Sequence, residues 1–171
     1  MTLSVLEMRP KTDSNPDSPL SSDTRRALGD LVLNAVSNSY VLMVKTQAVH
    51  WNVTGPLFKP VHDLTEAQYN DLFSAIDDLA ERIRALGFTA PMSYTAMQDV
   101  SSIKAFTKDA PTAGEMIAEL ASDNDTLAAR LVQGIEAASK EGDPATEDIL
   151  TERLRAHQKA AWMLRAMIET D

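Results

Sequence analysis

The sequence predicts an all-α fold: a four-helix bundle with a short extra helix in a long middle connection. Three observations carry that prediction. Four long segments repeat apolar residues at three- and four-residue steps, the spacing of one helical face. Proline, glycine and capping residues fall where those segments begin and end. Apolar residues make up 44% of the 171 positions but aromatic residues only 5%, a mix that suits packed helices better than strands. The length fits one domain, long enough to bury roughly two-thirds of its unfolded surface.

Residues 1–20 hold three of the eight prolines, with Ser, Asn and Asp and no sustained periodicity. They read as a flexible tail or extended arm, and 21–171 as the helical domain. Arg9 and Lys11 are offset by Glu7, Asp13 and Asp17, so the arm is not basic. The first helix starts after Ser21, Ser22 or Asp23 as N-cap and runs to about His50, with Leu28, Leu31, Val32, Ala35, Leu42 and Val49 as its stripe. Gly55, Pro56 and Pro60 then break the pattern. Pro60 suits the first turn of a second helix, where a missing N–H loses no bond, and Gly87 suits its end. Val61, Leu64, Leu72, Ile76, Leu79, Ile83 and Leu86 mark the core face.

The long connection that follows holds a short helix around Met97–Phe106. Thr112, with Glu115 three residues on, forms a capping box for a third long helix. Met116, Leu120, Leu127, Leu131 and Ile135 are its apolar positions, and it ends near Gly142. Asp143 caps a fourth, with Pro144 at its first position and Ile149, Leu150, Leu154, Ala161, Trp162 and Leu164 along it. Long amphipathic helices so connected imply a bundle.

Composition limits the chemistry. With no cysteine, disulfides, thiolate zinc sites and cysteine nucleophiles are excluded, and a reducing compartment fits. No basic start precedes an apolar run, and no uninterrupted apolar stretch is long enough to span a bilayer, so a soluble, cytoplasmic protein without membrane contact is expected. A net charge of −9 argues against a surface built to neutralise phosphates. It suits attraction of cations, or simply an acidic soluble protein.

Two of the three histidines, His50 and His62, sit close together around Trp51, and carboxylates follow at helical spacing. With His62 at zero on a helical wheel, Glu66 falls near 40°, Asp77 near 60° and Glu81 near 100°, so the four share a stripe. Asp71 and Asp78 point elsewhere and read as surface charges. The stripe holds two clusters whose centres lie roughly 22 Å apart along the helix. Metal–ligand bonds are about 2 Å long, so one ion cannot join both clusters within one chain. An antiparallel copy of the same helix, crossing near Asp71–Leu72, would set His62/Glu66 of one subunit against Asp77/Glu81 of the other, twice over by two-fold symmetry. Imidazole with carboxylate and no thiolate suits Fe(II), Mn(II) or Zn(II), and His50 can add a second nitrogen. The helical geometry permits this arrangement without requiring it, since an isolated His/Glu pair also reads as a solvated helix face. A di-iron centre within one bundle is excluded, because the first helix has no glutamate and the chain has no Glu-x-x-His.

The segments "HWNVTGPLF", "VHDLTEAQYNDL" and "IDDLAERIRALG", with the C-terminal "DILTERLRAHQKAAWML", resemble the Dps family, DNA-binding proteins from starved cells, also called miniferritins. The likeness covers nearly the whole chain after Ser22. It implies a ferritin-like four-helix bundle assembled as a hollow homododecamer. It also implies a ferroxidase that takes iron from Fe(II) to Fe(III), preferably with hydrogen peroxide, and stores ferric mineral; zinc or manganese would compete. Matching site positions are His50, His62 and Glu66 from one subunit with Asp77 and Glu81 from its partner. Glu66 departs from the aspartate of many relatives, shifting the carboxylate by about one bond. Trp51 matches a tryptophan that can donate an electron near the site, with packing an equal alternative. Asp143, Asp148 and Glu152 resemble acids of an iron-entry pore, although Asp143 reads equally as an N-cap and the others as acids favoured near a helix start. His157 has no visible partner and reads as structural or surface. DNA-binding relatives often use lysine-rich tails; the near-neutral tail and acidic chain predict weak or no DNA binding, and nucleoid association only if DNA is bound. The competing readings are a DNA-coating protein with little ferroxidase activity and an interaction bundle with an idle site. Both site histidines must be neutral to bind metal, so binding weakens in acid.

Overall fold

The computed structural model describes residues 18–168; residues 1–17, which include most of the expected tail, and 169–171 lie outside the described residues. Among the described residues five helices follow in order: α1 (Ser22–Asn52), α2 (Phe58–Ala85), α3 (Tyr94–Val100), α4 (Ala113–Glu141) and α5 (Pro144–Ala166).

Their ends follow side-chain chemistry. The Ser21 hydroxyl accepts from the Thr24 N–H at 3.1 Å and opens α1. Thr112 and Glu115 close both bonds of a capping box at α4, and Asp143 caps α5 ahead of Pro144. Gly87 and Gly142 stop α2 and α4 at φ of 97° and 71°, a region that favours glycine. Past α2, Phe88 N–H returns to the Ile83 carbonyl and Gly87 N–H to Arg84, which satisfies carbonyls the helix leaves open.

Helix α1 pairs with α2, α4 with α5, and α1 also packs on α4, while α3 lies against α1. The core they share includes Leu28, Val32, Leu42, Leu79, Ile83, Ile117, Leu120, Leu127, Leu150 and Leu164, all essentially inaccessible. Each such side chain contributes about 1.5–3 kcal/mol through burial. By length and composition α1 would pass for a membrane span, contrary to expectation, but 67% of that window is buried inside the bundle. Contacts between α2 and α5 are sparse, and a cleft opens there.

Lys45, buried on α1, ties that helix to α4. Its ammonium lies 2.5 Å from Glu119 and 2.7 Å from Asp123 on α4, donates to the Lys104 carbonyl at 2.8 Å, and sits over the Phe106 ring.

Two expectations need correction. The short helix runs Tyr94–Val100, earlier than expected, because Ser93 caps it. After it, Asn38 Oδ1 accepts from Ser102 N–H and Ile103 N–H, and the Ser101 hydroxyl competes for the latter. These bonds supply the chain with an alternative to further helix. Trp162 is 63% exposed rather than core. It stands about 120° from Leu150 on the wheel, off the stripe that Leu154, Ala161 and Leu164 share.

Candidate metal site

His50 lies in the last turn of α1 and His62 in the second turn of α2. The chain between them turns at Gly55, where φ is 84°. This brings the imidazoles into a parallel stack, centroids 3.7 Å apart and planes inclined by 17°. Their hydrogen bonds are reciprocal. His50 Nδ1–H donates to the His62 carbonyl and His62 Nδ1–H donates to the His50 carbonyl, each at 2.9 Å.

A carbonyl oxygen only accepts, so each Nδ1 must carry the hydrogen. The neutral form of each ring then offers its Nε2 lone pair to a metal, with orientation fixed by the backbone of the other histidine. Tyr69 packs edge-on against His50, and Phe58 lies against His62 at 5.1 Å. The Thr65 hydroxyl sits 3.5 Å from His50 Nδ1. The site is thus built from one helix end, one helix start and a ring of side chains that hold the imidazoles still.

Glu66 stands one turn beyond His62 on α2 and is exposed, as are Asp77 and Glu81 farther along. Among the described residues no group of three or more such side chains closes on a point within the chain. The histidines meet; the distal carboxylates do not join them. Trp51, next to His50, is 69% exposed and so takes no part in the core.

Sequence reasoning missed Phe73. It falls near 20° on the same wheel, between the His62/Glu66 and Asp77/Glu81 clusters. Its ring is 69% exposed. The available signal was an aromatic side chain off the Leu72/Ile76/Ile83 stripe, in a chain with few aromatics to expose.

The three residues matched to a pore separate in kind. Asp143 is buried, with its carboxylate taking Arg82 at 2.6 and 2.8 Å, the Thr146 hydroxyl at 2.6 Å and the Thr146 N–H at 3.2 Å. Burial raises its pKa, but the bonds from Thr146 and Arg82 outweigh that and hold it below the usual carboxylate value. Its oxygens are engaged in joining the end of α2 to the start of α5. Asp148 and Glu152 are exposed on α5. His157 is buried, and Asp71 pairs with Arg153 at 2.6 Å rather than standing alone.

Comparison with known proteins matches residues 30–171 to the ferritin-like domain family. The DNA protection during starvation protein of Brevibacillus brevis is 31% identical over 150 residues, covering 88% of this chain and 100% of that protein. A Dps protein crystal structure from Bacillus brevis superposes with a TM-score of 0.83 at 31% identity, covering 88% and 100% of the two chains. The chain belongs to the Dps family of ferritin-like proteins. A further Dps structure, from Vibrio cholerae, superposes with a TM-score of 0.84 at 26% identity over 93% of this chain and all (100%) of its own. That protein is described as a member of a broad superfamily of ferritin-like diiron-carboxylate proteins. The Dps fold expected from the sequence is therefore the fold observed, a four-helix bundle with α3 in the connection between its halves.

Proposed function

We propose that this Dps protein is a ferroxidase and iron store, working at sites completed by a second copy of the chain. Iron storage or protection of DNA is the general role that the family supports; the His50/His62 pair favours the iron reading. Two imidazoles whose Nδ1–H groups are held by backbone carbonyls, beside exposed Glu66, form an incomplete nitrogen and carboxylate set suited to Fe(II). Asp77 and Glu81 of the partner subunit would complete it where two α2 helices cross antiparallel. Phe73 on α2 supports that crossing, since it presents bare aromatic surface between the two clusters, and Trp51 beside His50 is equally exposed.

In the proposed reaction two Fe(II) ions each give one electron to hydrogen peroxide, which with two protons becomes two waters. The carboxylates favour the harder ferric product. In this reading Trp51, beside His50, supplies an electron when only one iron is present. The assembly is proposed to be a homododecamer in the cytoplasm, with Asp148 and Glu152 better suited than Asp143 to conduct iron at a pore because their oxygens are exposed. A chain of net charge −9 does not favour the DNA-coating alternative.

The test is anaerobic Fe(II) loading followed by limiting hydrogen peroxide, with ferric absorbance read against an oxygen-only control. We expect fast oxidation of two Fe(II) per peroxide to a soluble ferric product, lost in the His50→Ala/His62→Ala variant with assembly intact. Oxidation no faster than in protein-free buffer would overturn the reading.

A further inference from the structure

Where α2 and α5 draw apart, a cleft of about 340 Å³ opens, within the size range of small-ligand sites. Three of the residues lining it carry a buried polar atom without a hydrogen-bond partner: His157 at Nε2, Arg153 at Nε and Gln68 at Nε2. Buried polar groups are nearly always satisfied, so three such atoms on residues that line one cleft call for a physical reason.

The bonding partners fix what each atom wants. Asn124 Nδ2 donates to the Leu120 carbonyl at 2.8 Å, which leaves Oδ1 to face His157. His157 Nδ1–H donates to that oxygen at 2.9 Å, so Nε2 is a bare lone pair that asks for a donor. The side chain is 2% exposed. Burial first, then the Arg153 charge, push its pKa down to about 3, so it stays neutral at neutral pH. Arg153 Nε–H and the Gln68 amide both ask for acceptors. The other end of the Arg153 guanidinium is bonded to Asp71, and Lys159 stands on the wall. Formal charges around the cleft therefore sum to one positive, within a chain of −9.

We propose that this cleft binds a small oxyanion that still carries a proton, with hydrogen phosphate as the type. Its O–H donates to His157 Nε2, and its oxygens accept from Arg153 Nε–H, the Gln68 amide and the Lys159 ammonium. A neutral hydroxyl compound satisfies the hydrogen bonds but leaves the extra positive charge unmatched. A metal ion meets guanidinium and ammonium groups that repel it. None of these residues belongs to the His50/His62 site, so the inference stands apart from the iron reading.

Sulfate makes the test sharp, because at neutral pH it has the shape and charge but no proton to give His157. Full-length assembled protein, free of other oxyanions, is titrated with inorganic phosphate by calorimetry, with ³¹P line width as a second readout. We expect saturable binding of one phosphate per chain, with sulfate weaker by about tenfold, the worth of one buried hydrogen bond. Lys159→Ala, at an exposed position, and Gln68→Leu, close to isosteric, should each weaken phosphate binding by about tenfold with helix content unchanged. Equal affinity for sulfate would overturn the role of His157. Binding that both variants leave untouched would overturn the location. No saturation up to about 10 mM would mean that water alone satisfies the cleft.

Discussion

Replacing Lys45 by methionine removes a buried cation while keeping an apolar side chain of similar length. In the native fold the Lys45 ammonium faces Glu119 at 2.5 Å and Asp123 at 2.7 Å, and its side chain is 4% exposed. Removing one partner of a buried pair costs about 3–5 kcal/mol, because the remaining charge is left without compensation. Glu119 is 38% exposed on its side chain and retains water, so its share of that loss is small. Asp123, only 14% exposed on its side chain, carries most of the cost, and about 2–4 kcal/mol of destabilisation at pH 8 follows. Burial already raises the Asp123 pKa, against the lowering effect of Lys45, and loss of Lys45 raises it further. A carboxyl whose folded pKa lies above its unfolded value weakens the fold as pH rises through that folded pKa, and the penalty fades as pH falls and the group takes a proton. Lys45→Met should therefore be most damaging at pH 8 and approach wild type in mild acid. The assay is urea unfolding at pH 8, 6.5 and 5, at one fixed protein concentration because assembly contributes to apparent stability. A pH-independent loss would refute the reasoning, since it would assign the effect to packing rather than to the stranded carboxylate. Adding Asp123→Leu to the variant should restore most of the loss at pH 8.

Three further outcomes follow from the structure. His157, buried neutral with its pKa moved from the usual 6.5 to about 3, keeps the fold from taking a proton that the unfolded chain takes, so stability is full above about pH 6.5 and falls toward pH 3. The slope contributed is about 1.4 kcal/mol per pH unit, and urea titrations of His157→Gln should show that slope removed. Asp143→Ala loses a helix cap and strands Arg82, at about 2–3 kcal/mol; because the folded Asp143 pKa is depressed, its contribution persists down to the ordinary carboxylate range and disappears only below it, as thermal melts from pH 7 to 3 would show. An added Cβ at Gly134 would lie 2.8 Å from Leu150 Cδ1, a fully buried atom, so Gly134→Ala should lower stability by about 1 kcal/mol despite better helix propensity, and an unchanged Tm would mean that Leu150 rotates away.

How much of this was legible depended on whether a feature was local. Helix α4 was readable at both ends because Thr112, Glu115 and Gly142 act on backbone groups within a few residues. The α3 boundaries were not, since Asn38, more than sixty positions away, takes the N–H groups that would have continued the helix. Wheel geometry grouped His62 with Glu66, Asp77 and Glu81, but a wheel treats each helix alone. The reciprocal bonds between His50 and His62 belong to two helices joined by a tight connection, and no periodicity announces them.

The same distinction separates the two candidate sites. His50 and His62 stand out in sequence as part of a dense motif. His157 lies in α5, surrounded by ordinary helix formers, and acquires meaning only when Asn124 of α4, Gln68 of α2 and Arg153 are brought around it. A bundle core filled with leucine would need none of these polar groups, and each unsatisfied one costs about 1–3 kcal/mol. Packing does not explain their presence, because apolar residues of similar volume would close the gap between α2 and α5 at less cost. A fold that leaves one atom each of a neutral imidazole, a guanidinium and an amide without a partner, on residues that line one opening, is better accounted for by a ligand that pairs all three than by three separate imperfections.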